Sequence, residues 1–356
     1  MLRMLKRAIR TDGGPGISRL RYGIAVGFLA FMLAACGQAA QPGSGAPGAS
    51  AASNSQAAAA VQTINVAFAG AGGSETIPFA MGDSFFQQNG IDVKTSLMLG
   101  NTAMPGLSSG DLDFYSDPQP ALRAAIQGLP IKVVGGAYPT SGPFLIATPD
   151  VKSITDLKGK RVALAVAGGV YELELQAALD KVQMQVGKDV EPIYLPDTPS
   201  RLVALSNHTV SAAVVAVPTQ FQAGKLGLNV VINFADAVPH LSDGWSTSVK
   251  NIQTNPDKVK RFLRAFLQIV DYMRTHKSEV VPVMASKLNM QEDQAAEEYD
   301  LDFRDWHNGS LSDDRINLAL ALLQRDGTIK GELPPISQVA DFSLLSAVQK
   351  ELGLSS

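Results

Sequence analysis

Cysteine occurs once in 356 residues, at Cys36. No disulfide can form within the chain, and no redox pair or cysteine cage for a metal can be assembled. Histidine is scarce too. His208, His240, His276 and His307 are scattered, and none has a partner at helical metal-site spacing. The sequence therefore predicts neither a metal nor a cofactor. "GAGGSE" (residues 70–75) begins like a dinucleotide fingerprint, but Glu75 stands where the last glycine belongs and would repel a pyrophosphate. Acid–base or nucleophilic chemistry would want a histidine or matched carboxylates beside a glycine loop. An extracytoplasmic enzyme is thus the weaker reading, and we expect no catalytic residue.

Basic charge is also short once the beginning of the chain is set aside. Residues 1–35 hold six of the 30 Lys and Arg but one of the 33 Asp and Glu, which leaves 24 against 32, a formal charge of −8. That excess does not suit nucleic acid or an anionic membrane face. Residues 23–35, "GIAVGFLAFMLAA", are apolar but too few to span a bilayer, and six basic residues precede them. The run ends in "LAAC", which resembles a bacterial lipobox, so residues 1–35 read as a lipoprotein signal peptide and Cys36 as the lipidated residue. The alternative is an ordinary secretory signal with an incidental cysteine. No second apolar run is long enough to cross a membrane. Apart from Val61, residues 37–62 are Ala, Gly, Ser, Pro, Gln and Asn without charge, too polar and small to order themselves. As a leash they reach roughly 28 Å on average. The expectation is a folded body held at the cell envelope, outside the cytoplasm, by a lipid anchor.

What is present is an echo. "VAFAGAGG" (residues 66–73) returns as "VALAVAGG" (162–169), 96 positions later. "GIDV" returns as "GKDV" at 97, "LSSGDLDFY" as "LSNHTVSAA" at 98, and "GLPIKVV" as "GLNVVI" at 99. The offset drifts as single-residue loop insertions would make it drift, and the period is too long for a solenoid unit. Within each half, strand-like and helix-like runs alternate: "INVAFAG", "PFAMGDSFFQQNG", "DVKTSLML", "TAMPGLSSG", "DLDFYS", "QPALRAAIQG" and "IKVVGGAY" in the first. Such alternation predicts an α/β architecture of two lobes, each a mostly parallel sheet flanked by helices. Ligands of such sheets sit beyond the carboxyl ends of the strands, where glycine lets the chain turn and a helix begins. The duplicated phrase reads as the two lips of one cleft.

Beyond the second half, Asn255 is expected to cap a helix with Pro256 at its first position. Val259, Phe262, Leu263, Phe266, Leu267, Val270 and Met273 follow at helical spacing. Further helices are expected at "SEVVPVMASKL", "QAAEEYDLDF", "DDRINLALALLQRDG" and "FSLLSAVQKELG", as scaffold.

Several phrases, in order, resemble the solute-binding proteins of ABC importers in the nitrate, sulfonate, taurine and thiamine-precursor group. They are "FFQQNGIDVK", "LSSGDLDF", "AAIQGLPIKVVG", "VKSITDLKGKRVAL" and "NPDKVKRFLRAFLQIV". The resemblance runs from residue 63 to 353 and implies the two-lobed periplasmic-binding-protein type II fold with C-terminal helices. It implies the following partition: signal peptide 1–35, lipidated cysteine and linker 36–62, first part of lobe one 63–148, lobe two 149–244, and return to lobe one with the C-terminal helices 245–356. The crossings would fall near residues 146–150 and 244–247, with Trp245 at the second. It implies a monomer that captures a small solute and delivers it to an ABC permease in the membrane; a sensor on the same fold is the alternative. The cysteine cluster of the pyrimidine-forming relatives is missing, so their chemistry is not expected.

Strand ends supply the candidate ligand-binding residues. In lobe one these are Gly73, Ser74 and Glu75, then Asn101 and Thr102 beside Gly100, then Ser116 and Asp117, with Thr140 and Ser141 further along. In lobe two they are Gly168, Gly169, Val170 and Tyr171, then Thr219 and Gln220 beside Pro218. Ser74 or Thr76, Asn101 or Thr102, and Asp117 would serve equally as plain helix caps, and Tyr171 could simply pack on its own helix. Arginine and lysine are missing from these loops, whereas Glu75, Asp117 and Glu172 stand near them. The expected ligand is therefore neutral or cationic, and planar.

Overall fold

The structure is a computed structural model, and it describes residues 61–69, 73–138, 142–238, 244–304, 306 and 308–354. Residues 1–35, Cys36 and nearly all of the expected linker lie outside the described residues, as do Gly72, Thr140 and Ser141.

Among the described residues, ten strands form two five-stranded sheets. In the first, β1 (Gln62–Phe68) pairs in parallel with β2 (Ile91–Leu97), from Gln62 opposite Ile91 to Phe68 opposite Leu97, and with β3 (Phe114–Tyr115). β4 (Ile131–Gly135) closes the sheet, with order β2-β1-β3-β10-β4. The second sheet holds β5 (Phe144–Ala147), β6 (Arg161–Leu164), β7 (Glu191–Tyr194), β8 (Ala212–Val215) and β9 (Asn229–Asn233), in the order β7-β6-β8-β5-β9. The remaining strand, β10 (Trp245–Ser248), belongs to the first sheet. The two orders are the same. Each sheet is parallel except for one antiparallel strand, β10 between β3 and β4, and β5 between β8 and β9. The echo in the sequence is therefore an echo in topology: β1 answers to β6, β2 to β7, β3 to β8 and β4 to β9.

Helices cover both faces of each sheet. In chain order they are α1 (Ile77–Met81), α2 (Asp83–Gln88), α3 (Gly100–Ser109), α4 (Pro118–Ile126), α5 (Val170–Asp180), α6 (Thr198–Ser206), α7 (Gln220–Ala223) and α8 (Phe234–Ala237). Then follow α9 (Val249–Thr254), α10 (Pro256–Thr275), α11 (Lys277–Leu288), α12 (Glu292–Phe303), α13 (Asp313–Arg325) and α14 (Ser343–Leu352). On one face of the first sheet, α10 presents Val259, Phe262, Leu263, Phe266 and Val270, all fully buried, to Ile64, Val66 and Phe114. On the other, α3, α4 and α13 bury Leu107, Leu122 and Leu320. The second sheet has its own two cores, one built with α5 and α8 and one with α6. A sheet with both faces covered needs apolar side chains on both, hence the runs "VALA" and "AAVV", buried from Val162 to Leu164 and from Ala212 to Val215.

The structure departs from expectation in three places. The chain changes sheets earlier than residues 146–150: it leaves the first sheet at Gly135, and Phe144–Ala147 already pairs with β8 and β9. "FLIA" is a fully buried strand, and a four-residue apolar run carries no alternation to announce it. The single helix expected over "PFAMGDSFFQQNG" is two, bent at Gly82, where a Cβ would lie 2.6 Å from the Ile269 side chain of α10 and 2.7 Å from the Pro78 carbonyl. And Asn255, although it precedes Pro256, makes no side-chain cap; its amide donates to Thr254 Oγ1 at 3.1 Å instead.

Candidate functional site

Strand polarity decides where the two sheets meet. β5 and β10 run against their neighbours, so their first residues, Phe144 and Trp245, lie beside the carboxyl ends of the others. Residues 136–143 join the carboxyl end of β4 to the start of β5, and residues 238–244 lead from α8 to the start of β10. An eight-residue link spans at most about 28 Å. The carboxyl ends of both sheets are therefore the ends held next to each other, and the glycine loops leave from them.

In the first loop, Gly73 is extended and Ser74–Thr76 forms a 3₁₀ turn. Glu75 folds back so closely that a Cβ on Gly73 would lie 2.2 Å from its Oε2. Its carboxylate is raised from the usual range by burial, partly offset by N–H bonds from Glu75 itself and Gly73. Neither Ser74 nor Thr76 caps the helix: the Ser74 hydroxyl, on a residue 9 % exposed, has no partner among the described residues, and Thr76 Oγ1 donates to the Gly73 carbonyl at 2.9 Å. At the end of β3, Ser116 is buried and its Oγ accepts the Ala69 N–H at 3.2 Å, which ties β3 to the end of β1. Asp117 caps α4, with Oδ1 accepting the Gln119 N–H at 2.9 Å. Burial pushes its carboxyl up to about 7, helped by the negative charges of Glu174 and Glu75 and opposed by the N–H bond.

Across the gap, Gly168 adopts φ +65°, a conformation glycine tolerates, and its N–H donates to Glu172 Oε2 at 2.8 Å. A Cβ there would stand 3.7 Å from Nη2 of Arg123 on α4, so α4 of the first lobe and the Gly168 loop of the second are in reach of each other. Gly169 and Val170 start α5, and Tyr171 follows, half-buried. Burial raises the Tyr171 phenol to about 12; Arg201 opposes this, and Glu174, Glu75 and Asp117 add to it. One side chain of lobe two thus feels two carboxylates of lobe one. Thr219 and Gln220, both buried, follow the end of β8. The Gln220 amide crosses to lobe one, its Nε2 donating to Glu298 of α12 at 2.7 Å, while its Oε1 has no partner among the described residues.

Three expected residues stand apart. Asn101 and Thr102 are exposed in the first turn of α3, whose cap position is Leu99, so they neither cap the helix nor enter the buried group. Trp245 starts β10 just after the second crossing and is fully buried in an aromatic cluster with Phe68, Phe79, Tyr138, Phe262 and Phe266, so it serves the core of lobe one. A hollow of about 740 Å³ beside β2, lined by Phe68, Phe79, Phe86 and Thr95 among others, lies wholly within lobe one and is not the gap between lobes.

Sequence reasoning missed Arg201. It lies in α6, 30 residues beyond Tyr171, yet its guanidinium carbon is 5.6 Å from that ring's centre. Only 2 % exposed, it donates to the carbonyls of Leu195 (2.6 Å) and Pro196 (3.0 Å) and to Thr198 Oγ1 (2.9 Å); its Nε has no partner among the described residues. Glu174, buried at 4 %, was missed as well. Its place one turn after Tyr171, on the same helix face, was the available signal.

Two sheets of order 2-1-3-n-4, exchanging one antiparallel strand each and meeting at their carboxyl ends, define the two-lobed periplasmic-binding-protein type II class. The chain belongs to the NMT1/THI5-like family, whose match covers residues 77–280. A protein of Haemophilus influenzae named for thiamine biosynthesis is 27 % identical over 209 residues, 55 % of this chain and 63 % of the relative, so the match spans less than two thirds of that protein's length. Among solved structures, the periplasmic sulfonate-binding protein SsuA from Methylobacillus flagellatus superposes with a TM-score of 0.67 at 19 % identity, covering 83 % of this chain and 96 % of that one. The periplasmic nitrate-binding protein NrtA from Synechocystis gives 0.65 at 13 % identity, covering 83 % and 90 %. At such identities the likeness is one of fold.

Proposed function

We propose that this chain is an extracytoplasmic solute-binding protein of an ABC importer. It closes its lobes on one small, planar, neutral or cationic solute and hands it to a membrane permease. The observation that carries this reading is that Glu75 and Asp117 of one lobe and Tyr171 and Glu174 of the other form one electrostatic group at the facing strand ends. The binding-protein names of its structural neighbours support it. On this reading the chain does no chemistry, works as a monomer tethered through Cys36, and divides into two lobes that move on the crossings at 136–143 and 238–244. Gly73, Ser74, Glu75, Asp117, Gly168, Gly169, Val170, Tyr171, Thr219 and Gln220 would surround the solute. Native mass spectrometry of the protein purified from its host tests it. A retained small molecule, lost on unfolding, is expected. If none is retained, and a broad solute screen neither raises the melting temperature nor changes the scattering profile, the reading fails.

A further inference from the structure

Both crossings between the lobes touch one short run of chain, the described residues between α12 and α13. On the first crossing Ala137, 4 % exposed, is bonded to it twice. The Ala137 N–H donates to the Gly309 carbonyl at 2.8 Å, and Trp306 Nε1 donates to the Ala137 carbonyl at 2.9 Å. Gly309 has φ +74°, and a Cβ on it would lie 2.5 Å from Leu267 Cδ2 of α10 and 3.6 Å from the Gly136 Cα, so glycine is what lets the run pass this close. At the lobe-one end of the second crossing, a Cβ on Gly244 would lie 3.1 Å from Leu311 Cδ1. Just before that crossing, Asp236 of lobe two meets Arg304.

The run is fixed to lobe one by a side chain that belongs to neither crossing. Gln349 of α14, 6 % exposed, donates through Nε2 to the Asn308 carbonyl at 2.9 Å and to Ser310 Oγ at 2.8 Å. The Trp306 ring is buried in the same apolar core as the inner face of α10. A swing of the lobes that carried Ala137 with it would break both of its bonds and strand buried donors and acceptors. The lobe-one end of the first crossing is therefore held still, and Leu311 packs against the corresponding end of the second. Bending is left to the parts of the crossings nearer lobe two. One run that grips both crossings also couples them, so loosening it frees both.

We infer that this run is a clasp on the hinge: with Trp306 as its pin and Gln349 as its anchor, it limits how far the lobes swing and so sets how readily the chain opens to admit a solute. This rests on the solute-binding reading and adds its regulation. Trp306 and Gln349 are positioning residues that act through the crossings. Spin labels at Lys94→Cys on β2 and Glu191→Cys on β7, in the full chain carrying Cys36→Ala, report the distance between the sheet edges opposite the crossings by pulsed dipolar spectroscopy. Trp306→Phe keeps a ring but loses the N–H, and Gln349→Met keeps the volume but loses both bonds. Each should widen the distance distribution and raise its long-distance population about fivefold, the factor that one hydrogen bond supplies. Tyr299→Phe is the control. It removes bonds to the Met273 and Arg274 carbonyls, both 2.8 Å, inside lobe one, so it should lower the melting temperature by a similar amount and leave the distribution unchanged. A clasp variant that circular dichroism shows folded and that keeps the parent's distribution overturns the inference, as does equal widening by Tyr299→Phe. Should Trp306→Phe not fold, Gln349→Met decides. A solute retained by a chain whose distribution ignores both variants removes the clasp and leaves the solute-binding reading, whereas widening in a chain that binds no solute removes that reading and leaves the clasp as a limit on the swing.

Discussion

Asp117 is the residue whose ionisation works against the fold. Its carboxyl is lifted from an ordinary value near 3.8 to about 7, because burial and the charges of Glu174 and Glu75 oppose its ionisation. The folded chain therefore holds a proton that the unfolded chain has released between about pH 4 and pH 7. Stability contributed at this site is present at low pH and falls as pH rises through that window. Asp117→Asn, which keeps an acceptor for the Gln119 N–H, should remove the decline. At pH 8 it should stabilise the protein by about 1 kcal/mol, or ~2–4 °C in melting temperature, after discounting for partial exposure. Below about pH 3.5, where both folded and unfolded chains hold the proton, the variant and the parent should melt together. Melting curves at the two pH values check this, and a gain of equal size at both would refute the assignment to Asp117.

Among the elements, the phrase "GDLDF" shows how a family-like motif serves the scaffold. Asp113, 4 % exposed, accepts the Asn65 N–H of β1 at 2.9 Å, Asn251 Nδ2 of α9 at 3.3 Å and Lys258 Nζ of α10 at 2.6 Å. One carboxylate thus holds β3, β1, α9 and α10 together. Removing one partner of a buried pair strands the other, so Asp113→Ala should cost about 3–5 kcal/mol in urea unfolding, with a shifted midpoint and an unchanged slope. Asn255→Ala is the contrasting case. Since Asn255 makes no cap bond, the change should cost a few tenths of a kcal/mol, well below the ~1 kcal/mol of a working N-cap. The composition "NP" is that of a helix start, but the backbone at Asn255 (φ −132°, ψ 45°) does not bring its amide over the first turn.

For the whole molecule, the lobes are joined by more than the two crossings. Arg325 of α13 meets Asp180 of α5 at 2.8 Å, Arg304 meets Asp236, and Leu318 packs into the core of the second sheet. Arg325 and Asp180 are 52 % and 38 % exposed, so their pairing is worth at most about 1 kcal/mol. If it favours closed lobes over open ones, Arg325→Ala should weaken solute binding by no more than about fivefold and expand the radius of gyration slightly. A hundredfold loss would mean that Arg325 does more than latch, and no change in either quantity would mean that it does not latch.

The two halves, their shared element order and the amphipathic α10 were legible in the sequence because each depends on neighbours in the chain. Hydrophobic period and glycine turns are local signals, and a duplicated strand-turn-helix repeats them in order. Ser74, Glu75, Asp117 and Tyr171 could be chosen for the same reason, as the residues that follow strand ends. The sequence did not show that β5 already belongs to the sheet of the second half, since a short buried strand shows no alternation, whereas the return of the chain to lobe one at residue 245 was expected from the family resemblance. Nor could it show that Arg201 lies beneath Tyr171, that Gln220 reaches Glu298, or that Trp245 is core. Those are contacts between residues far apart in the chain, set by how the sheets stack. Local patterning determined the elements and their order; tertiary packing alone decided which charges face one another at the facing strand ends, because electrostatic energy depends on distance in space and not along the chain.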